Sequence, residues 1–116
     1  MIEQIMNFEV ITKTPKRIEF SAKMYIKNHE LHFALDGLEN EEDYDEIDFI
    51  TDILFDFVDD LKDKIIGRFE ENNDYMIRQE MFNLIDFLRN DCYYDFYYER
   101  LRYFAINFHN DTIRIL

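Results

Sequence analysis

Six aspartates recur at helical spacing in the middle of the chain, and their pattern has the clearest chemical meaning in the sequence. They are Asp45, Asp48, Asp52, Asp56, Asp59 and Asp63. At about 100° per residue, a helix places all six within a stripe about 80° wide, and a rise of about 1.5 Å per residue makes the stripe about 27 Å long. Carboxylates in such a row can pair with Lys and Arg side chains. We therefore predict that the stripe binds a basic partner, although charged helix faces often serve only for solvation.

The net charge of −13 is concentrated in one segment. Residues 36–63 contain thirteen acidic side chains and one basic side chain, Lys62, whereas residues 1–35 have a net charge of +1 and residues 64–116 a net charge of −2. A protein selected only for solubility is expected to spread its charges, so this concentration indicates a directed electrostatic field. The stripe also costs stability, because Asp is a poorer helix former than Glu and like charges four residues apart repel each other.

Two aromatic residues, Phe49 and Phe55, flank the stripe roughly 60° to either side on the same helical wheel. An apolar ring beside charges that lose their water is typical of the strongest contacts in protein interfaces. We expect one of the two rings to pack toward the core, and the pattern does not identify which. Both are therefore included with the six aspartates as candidate partner-binding residues.

The sequence offers little for metal, cofactor or nucleophilic chemistry. Aspartates four residues apart have a chelating spacing, but the acidic segment lacks the Gly and Glu positions of an EF-hand loop. Cys92 is the single cysteine and no His-Glu-x-x-His motif is present, so a zinc site is not expected. We predict no metal, no cofactor and no catalytic residue.

One pair of residues resembles a catalytic motif. Arg102 and His109 are separated by six residues, a spacing similar to that of the Arg and His pair in HEPN ribonucleases. The resemblance implies an RNA-cleaving enzyme in which both residues lie on one helix. His109 is followed by Asn110 and Asp111, which favour a turn, so a HEPN-type ribonuclease is the least favoured alternative.

The first third of the chain is predicted to form three antiparallel strands. Apolar residues occupy every second position of residues 17–27, which is the period of a strand with one buried face. The same alternation occurs upstream around Phe8 and downstream around Phe33, with turn residues between the segments. We therefore predict a β-meander over residues 4–36.

The remainder is predicted to be mainly helical. We expect an acidic loop at residues 38–44, an acidic amphipathic helix at 45–69 and a Tyr-rich helical segment at 74–104. Residues 105–116 are compatible with either a single strand or a hairpin. The prediction for residues 1–116 is one α+β domain with a three-stranded antiparallel meander, two or three helices and a short C-terminal strand.

In size, charge and the absence of a recognisable active site, the chain resembles acidic inhibitors that phages and mobile elements produce against host nucleases. These include anti-CRISPR, anti-restriction and DNA-mimic proteins. The resemblance implies that an acidic face blocks the Lys- and Arg-lined nucleic-acid channel of a CRISPR effector or another nuclease. The protein itself is then expected to bind neither nucleic acid nor membrane. An immunity protein or antitoxin that neutralises a toxin nuclease would have the same acidic face.

Three features predict a cytoplasmic location. No apolar run approaches the roughly 20 residues of a membrane-spanning helix. The N-terminal residues lack the basic and apolar regions of a signal peptide. The single Cys92 cannot form an internal disulfide, as expected in a reducing compartment.

Overall fold

The computed structural model describes residues 2–65, 73–99 and 101–116 of the chain. Within them the elements are β1 (Ile2–Thr12), β2 (Arg17–Lys27), β3 (Glu30–Asp36), α1 (Glu41–Glu46), α2 (Asp48–Ile65), α3 (Asn73–Asn90), α4 (Tyr93–Glu99), β4 (Leu101–Phe108) and β5 (Asp111–Arg114). The predicted α+β class with an N-terminal antiparallel meander is confirmed. No helix in the described part of the chain combines the length and apolar composition that crossing a membrane requires.

The five described strands form one antiparallel sheet in the order β3-β2-β1-β4-β5. The chain therefore returns after its helices to pair β4 with β1, at the centre of the sheet. Two-residue turns at Asn28–His29 and His109–Asn110 close the β2–β3 and β4–β5 hairpins, and all four residues have positive φ. Positive φ at both positions is the signature of a type I′ turn, whose twist matches that of the flanking strands. The hairpin is thus the correct interpretation of the C-terminal residues.

One face of the sheet is buried, and the predicted register of β2 is confirmed. The inward side chains of β2 are all at most 7% exposed; they are Ile18, Phe20, Ala22, Met24 and Ile26. Phe8 stacks on Phe20 with ring centroids 4.7 Å apart and contacts Phe104 edge-on at 5.9 Å. The inward side chains of the sheet and the apolar faces of the helices form one hydrophobic cluster.

The opposite face of the sheet carries mixed charges that pair locally. Glu9 and Glu19 lie directly opposite each other on β1 and β2, an arrangement that repels by itself. Arg17 bridges them, with Nη2 3.0 Å from Glu9 Oε1 and 2.8 Å from Glu19 Oε1. The hydrogen bond with Glu19 is the main cause of the raised pKa of Arg17.

The acidic segment is folded differently from the prediction. Instead of a loop at 38–44, the helix α1 begins at Glu41, because the side chain of Asn40 accepts a hydrogen bond from the Glu42 N–H at 3.0 Å and caps the helix. The long helix does not begin at residue 45. Ile47 leaves the helical conformation, with φ −125° and ψ 20°, and its side chain is fully buried between α1 and α2.

The C-terminal ends of the two predicted helical segments can also be compared with the structure. The end of the first predicted helix, residues 66–69, lies outside the described residues. The predicted helical segment 74–104 is wrong at residues 101–104, which belong to the strand β4.

Candidate partner-binding surface

Helix α2 presents a row of aspartates on the side opposite its buried face. Its apolar face contributes Ile50, Leu54, Val58, Leu61 and Ile65 to the core, each at most 6% exposed. The opposite side carries five exposed carboxylates, which we call the Asp row: Asp48, Asp52, Asp56, Asp59 and Asp63. With a rise of about 1.5 Å per residue, the Asp row is about 22 Å long. The amphipathic pattern that folds α2 onto the sheet therefore also directs the Asp row into solvent.

Asp45 is the one predicted stripe residue that does not belong to the Asp row. It is exposed, but it lies in α1. Because the chain departs from helical geometry at Ile47, the wheel that predicted six aligned aspartates does not extend across the break. The continuous stripe is therefore shorter by one residue and about 5 Å than the sequence predicts.

Basic side chains neutralise acids elsewhere in the described structure. Lys16 Nζ lies 2.6 Å from Asp43 Oδ1 and 3.9 Å from a Glu42 oxygen, both in α1. The pKa of Lys16 is raised, chiefly by its close contact with the carboxylate of Asp43. Among the described residues, no member of the Asp row forms an ion pair. The acidic charge of α1 is thus partly compensated within the fold, whereas that of α2 faces solvent.

The two aromatic residues that flank the stripe have different environments. Phe49 is half-buried against the core, with its ring 6.1 Å from that of Phe96. Phe55 is 38% exposed and meets Phe33 of β3 edge-on at 5.5 Å. The structure therefore places Phe49 in the inward position, and Phe55 is the ring that a partner can reach.

A groove between α2 and α3, which the sequence did not reveal, adjoins the Asp row. It has a volume of about 610 Å³. Its apolar lining comes from Ile53, Phe57, Leu61 and Ile65 of α2 and from Phe87 of α3. The rings of Phe57 and Phe87 lie 5.9 Å apart. Phe57 and Phe87 sit at the edges of the apolar faces of their helices, but only the packing of α2 beside α3 shows that these edges meet.

The Arg and His pair is not arranged as in HEPN ribonucleases. Arg102 lies in β4 and His109 in the turn that follows this strand. Seven strand residues span about 23 Å at about 3.3 Å each. The two side chains therefore do not share a helix, as the HEPN arrangement requires. Within the described residues, no three His, Cys, Asp or Glu side chains are grouped so that they could hold a metal ion.

The single thiol is held in an unreactive state. Cys92 is 5% exposed at the junction of α3 and α4. Burial, together with the negative charges of Asp95 and Asp91, raises the pKa of Cys92 to about 11. The thiol is therefore protonated at neutral pH, and only the thiolate is an effective nucleophile.

Helix α4 exposes a cluster of tyrosines at the end of the molecule where the β1–β2 turn lies. Tyr94 and Tyr98 are 70% and 74% exposed, and their rings stack at 6.5 Å. Lys13 Nζ lies 5.6 Å from the ring centroid of Tyr97. Exposed tyrosines are common in protein interfaces, so this cluster is a second surface on which contacts can be sought.

No protein-family model, no curated protein and no solved structure matches this chain.

Proposed function

We propose that the protein is a small acidic inhibitor that binds the basic nucleic-acid-binding surface of a nuclease or of a defence complex. The observation that supports this proposal is the Asp row, in which five carboxylates project from one side of α2 into solvent. In the described structure the nearby acids of α1 have a basic partner in Lys16, whereas the Asp row has an unbalanced negative field.

The chemistry of the Asp row suits surfaces that bind phosphates. Arg and Lys side chains that contact a nucleic-acid backbone also form strong, charge-assisted hydrogen bonds with carboxylates. A length of about 22 Å corresponds to about six phosphates of one DNA strand, which are spaced by about 3.4 Å along the axis. The Asp row can therefore compete with a short stretch of backbone, and its charge would speed association with a basic channel.

The proposal is tested by affinity capture with a variant in which Asp52, Asp56 and Asp59 are replaced by Asn. Wild-type and variant proteins are immobilised and exposed to a lysate of the cells that encode them, and the captured proteins are quantified by mass spectrometry. We expect the wild type to retain a nucleic-acid-binding protein that the variant loses. Added duplex DNA or RNA should release that protein from the wild type, because both ligands occupy the same basic surface.

The matched control replaces three exposed aspartates outside α1 and α2, namely Asp86, Asp91 and Asp111, by Asn. It removes the same charge with the same chemical change, so it should capture the partner nearly as well as the wild type. Equal loss in both variants would mean that net charge, not the Asp row, governs capture. Equal capture by all three proteins would contradict the proposal. Capture of a single toxin nuclease would identify the protein as an immunity protein or antitoxin.

A further inference from the structure

The groove between α2 and α3 has an apolar interior and an acidic rim. Phe87 is 36% exposed and Phe57 is half-buried, so aromatic surface is open to solvent along the groove. Among the residues that the structure describes, the lining also includes three carboxylates, on Asp56, Asp60 and Glu80, and one cation, Lys64. Aromatic side chains are enriched in protein interfaces, where polar groups surround an apolar centre.

The charges of the rim restrict what can occupy the groove. An apolar occupant with basic flanks gains burial against the rings and pairs with the rim carboxylates, whereas an acidic occupant is repelled. A second copy of this chain carries a net charge of −13, and its own groove has the same acidic rim. Charge complementarity therefore favours a basic segment of another protein over self-association.

The shape of the groove restricts the occupant further. Two helices form its walls, and its α2 wall extends from Ile53 to Ile65, about 18 Å at about 1.5 Å per residue. That length matches about three turns of a third helix, and a helix with one apolar face is the usual ligand of such grooves. Asp56 belongs both to the groove lining and to the Asp row, so the two surfaces are continuous.

We propose that the α2–α3 groove binds a basic amphipathic helix of the partner protein, whose apolar side chains pack against Phe57 and Phe87 and whose Lys or Arg side chains pair with Asp60 and Glu80. This inference rests on the proposed function for the basic character of the partner. It adds that recognition requires an apolar anchor, which a pure mimic of a phosphate row does not need.

The test uses three fluorescently labelled peptides of the same length, about 14 residues or roughly four helical turns. The first contains Leu at helical spacing on a Lys background, the second has the same composition in an order without an apolar face, and the third is oligolysine. Binding to the full-length protein is measured by fluorescence anisotropy. We expect the amphipathic peptide to bind about tenfold more tightly than either of the others, because only it can fill the groove. Equal affinity for the three peptides would overturn the inference.

Two substitutions on α3 provide a matched pair. Phe87 and Phe82 are both 36% exposed, but Phe87 lines the groove, whereas Phe82 lies against Phe108 and His109. Phe87→Ser should remove the preference for the amphipathic peptide, and Phe82→Ser should retain it. A preference that survives Phe87→Ser in a folded protein would overturn the inference. Circular dichroism shows whether each variant is folded.

A second pair of variants, on α2, tests the groove inference if Phe87→Ser does not fold. Asp59 and Asp60 are adjacent exposed residues of α2, but only Asp60 lines the groove. Asp60→Lys should weaken binding of the amphipathic peptide about tenfold, and more than Asp59→Lys does. Equal weakening by the two variants would overturn the inference.

The experiments can contradict the groove inference and the proposed role of the Asp row separately. If partner capture depends on the Asp row while Phe87→Ser leaves the peptide preference unchanged, the proposed function stands and the groove inference fails. If the peptide preference depends on Phe87 and Asp60 while the Asp row variant captures the same proteins as the wild type, the groove is the binding site and the proposed role of the Asp row fails.

Discussion

Lys16 Nζ lies 2.6 Å from Asp43 Oδ1, so an ion pair joins the turn between β1 and β2 to the first turn of α1. The pair holds the short acidic helix against the end of the sheet. Within residues 36–63, part of the acidic charge of α1 is therefore paired with a basic side chain, whereas the carboxylates of the Asp row face solvent.

The Lys16 pair should stabilise the protein at neutral pH and lose its effect in alkali. The pKa of Lys16 is raised in the folded state, chiefly by the close contact with the carboxylate of Asp43. Its contribution is therefore complete below the pKa of an unfolded lysine, about 10.4, and is lost as the pH rises through the folded value. Lys16→Gln should lower the midpoint of thermal unfolding at pH 7, and the difference from wild type should shrink above the unfolded pKa. If the two proteins differ in their unfolding midpoint by the same amount at pH 7 and at a pH above the pKa of Lys16, the ion pair is not the source of the difference.

The stacked rings of Phe8 and Phe20 should contribute strongly to the free energy of unfolding. Phe20 is 4% exposed and lies 4.7 Å from Phe8, ring to ring, so Phe20→Ala should cost about 3–5 kcal/mol. Urea unfolding measures the change. Ser21→Ala, at the next position but on the other face of β2, should have a small effect. Similar losses in the two variants would mean that the register of β2 does not decide which side chains support the core.

The strands could be predicted wherever the apolar alternation is uninterrupted. Residues 17–27 alternate without exception, and β2 spans the same residues. The first residues of β4, 101–104, were assigned to a helix because the alternation of this strand is broken. The pairing of β1 with β4 shifts register between Ile11 and Thr12, where Tyr103 and Leu101 are the respective partners. Such an irregularity inserts a residue and moves the following side chains to the other face, so a period of two is visible only from Phe104 onward.

The break before α2 had no sequence signal either. Ile47 is in phase with the apolar face of α2, and neither Gly nor Pro occurs near it, so the periodicity predicted a continuous helix. The helix α1 has no buried residue and therefore no apolar periodicity. The Asp row was predictable because it belongs to one helix. The groove was not, because it depends on how two helices separated by several residues pack side by side.

The thiol of Cys92 should react slowly in the native protein. Its pKa is raised to about 11 by burial and by the charges of Asp95 and Asp91, so the thiolate fraction at pH 8 is far below that of a free cysteine, whose pKa is about 8.5. Reaction with an aromatic disulfide reagent, followed by absorbance, should be slow in buffer and fast in denaturant. Equally fast reaction under both conditions would show that the α3–α4 junction opens readily.

The Asp row should not be needed for folding. Asp52 and Asp56 are four residues apart on α2, as are Asp59 and Asp63, and each such pair repels by about 0.2–0.5 kcal/mol. Replacing Asp52, Asp56 and Asp59 by Asn should therefore leave the free energy of unfolding unchanged or raise it. Urea unfolding at low salt measures the change. Any gain should disappear near 1 M salt, where the Debye length is about 3 Å.

The triple change of Asp86, Asp91 and Asp111 to Asn is the control for this measurement. These residues lie outside the Asp row, so their replacement should have less effect on stability and less dependence on salt. Destabilisation by the Asp row variant would show that these carboxylates support the fold, and their exposure would then need no partner to explain it. If the Asp row variant keeps or gains stability but loses the captured protein, the aspartates do not support the fold. Their mutual repulsion is then offset only when the partner binds.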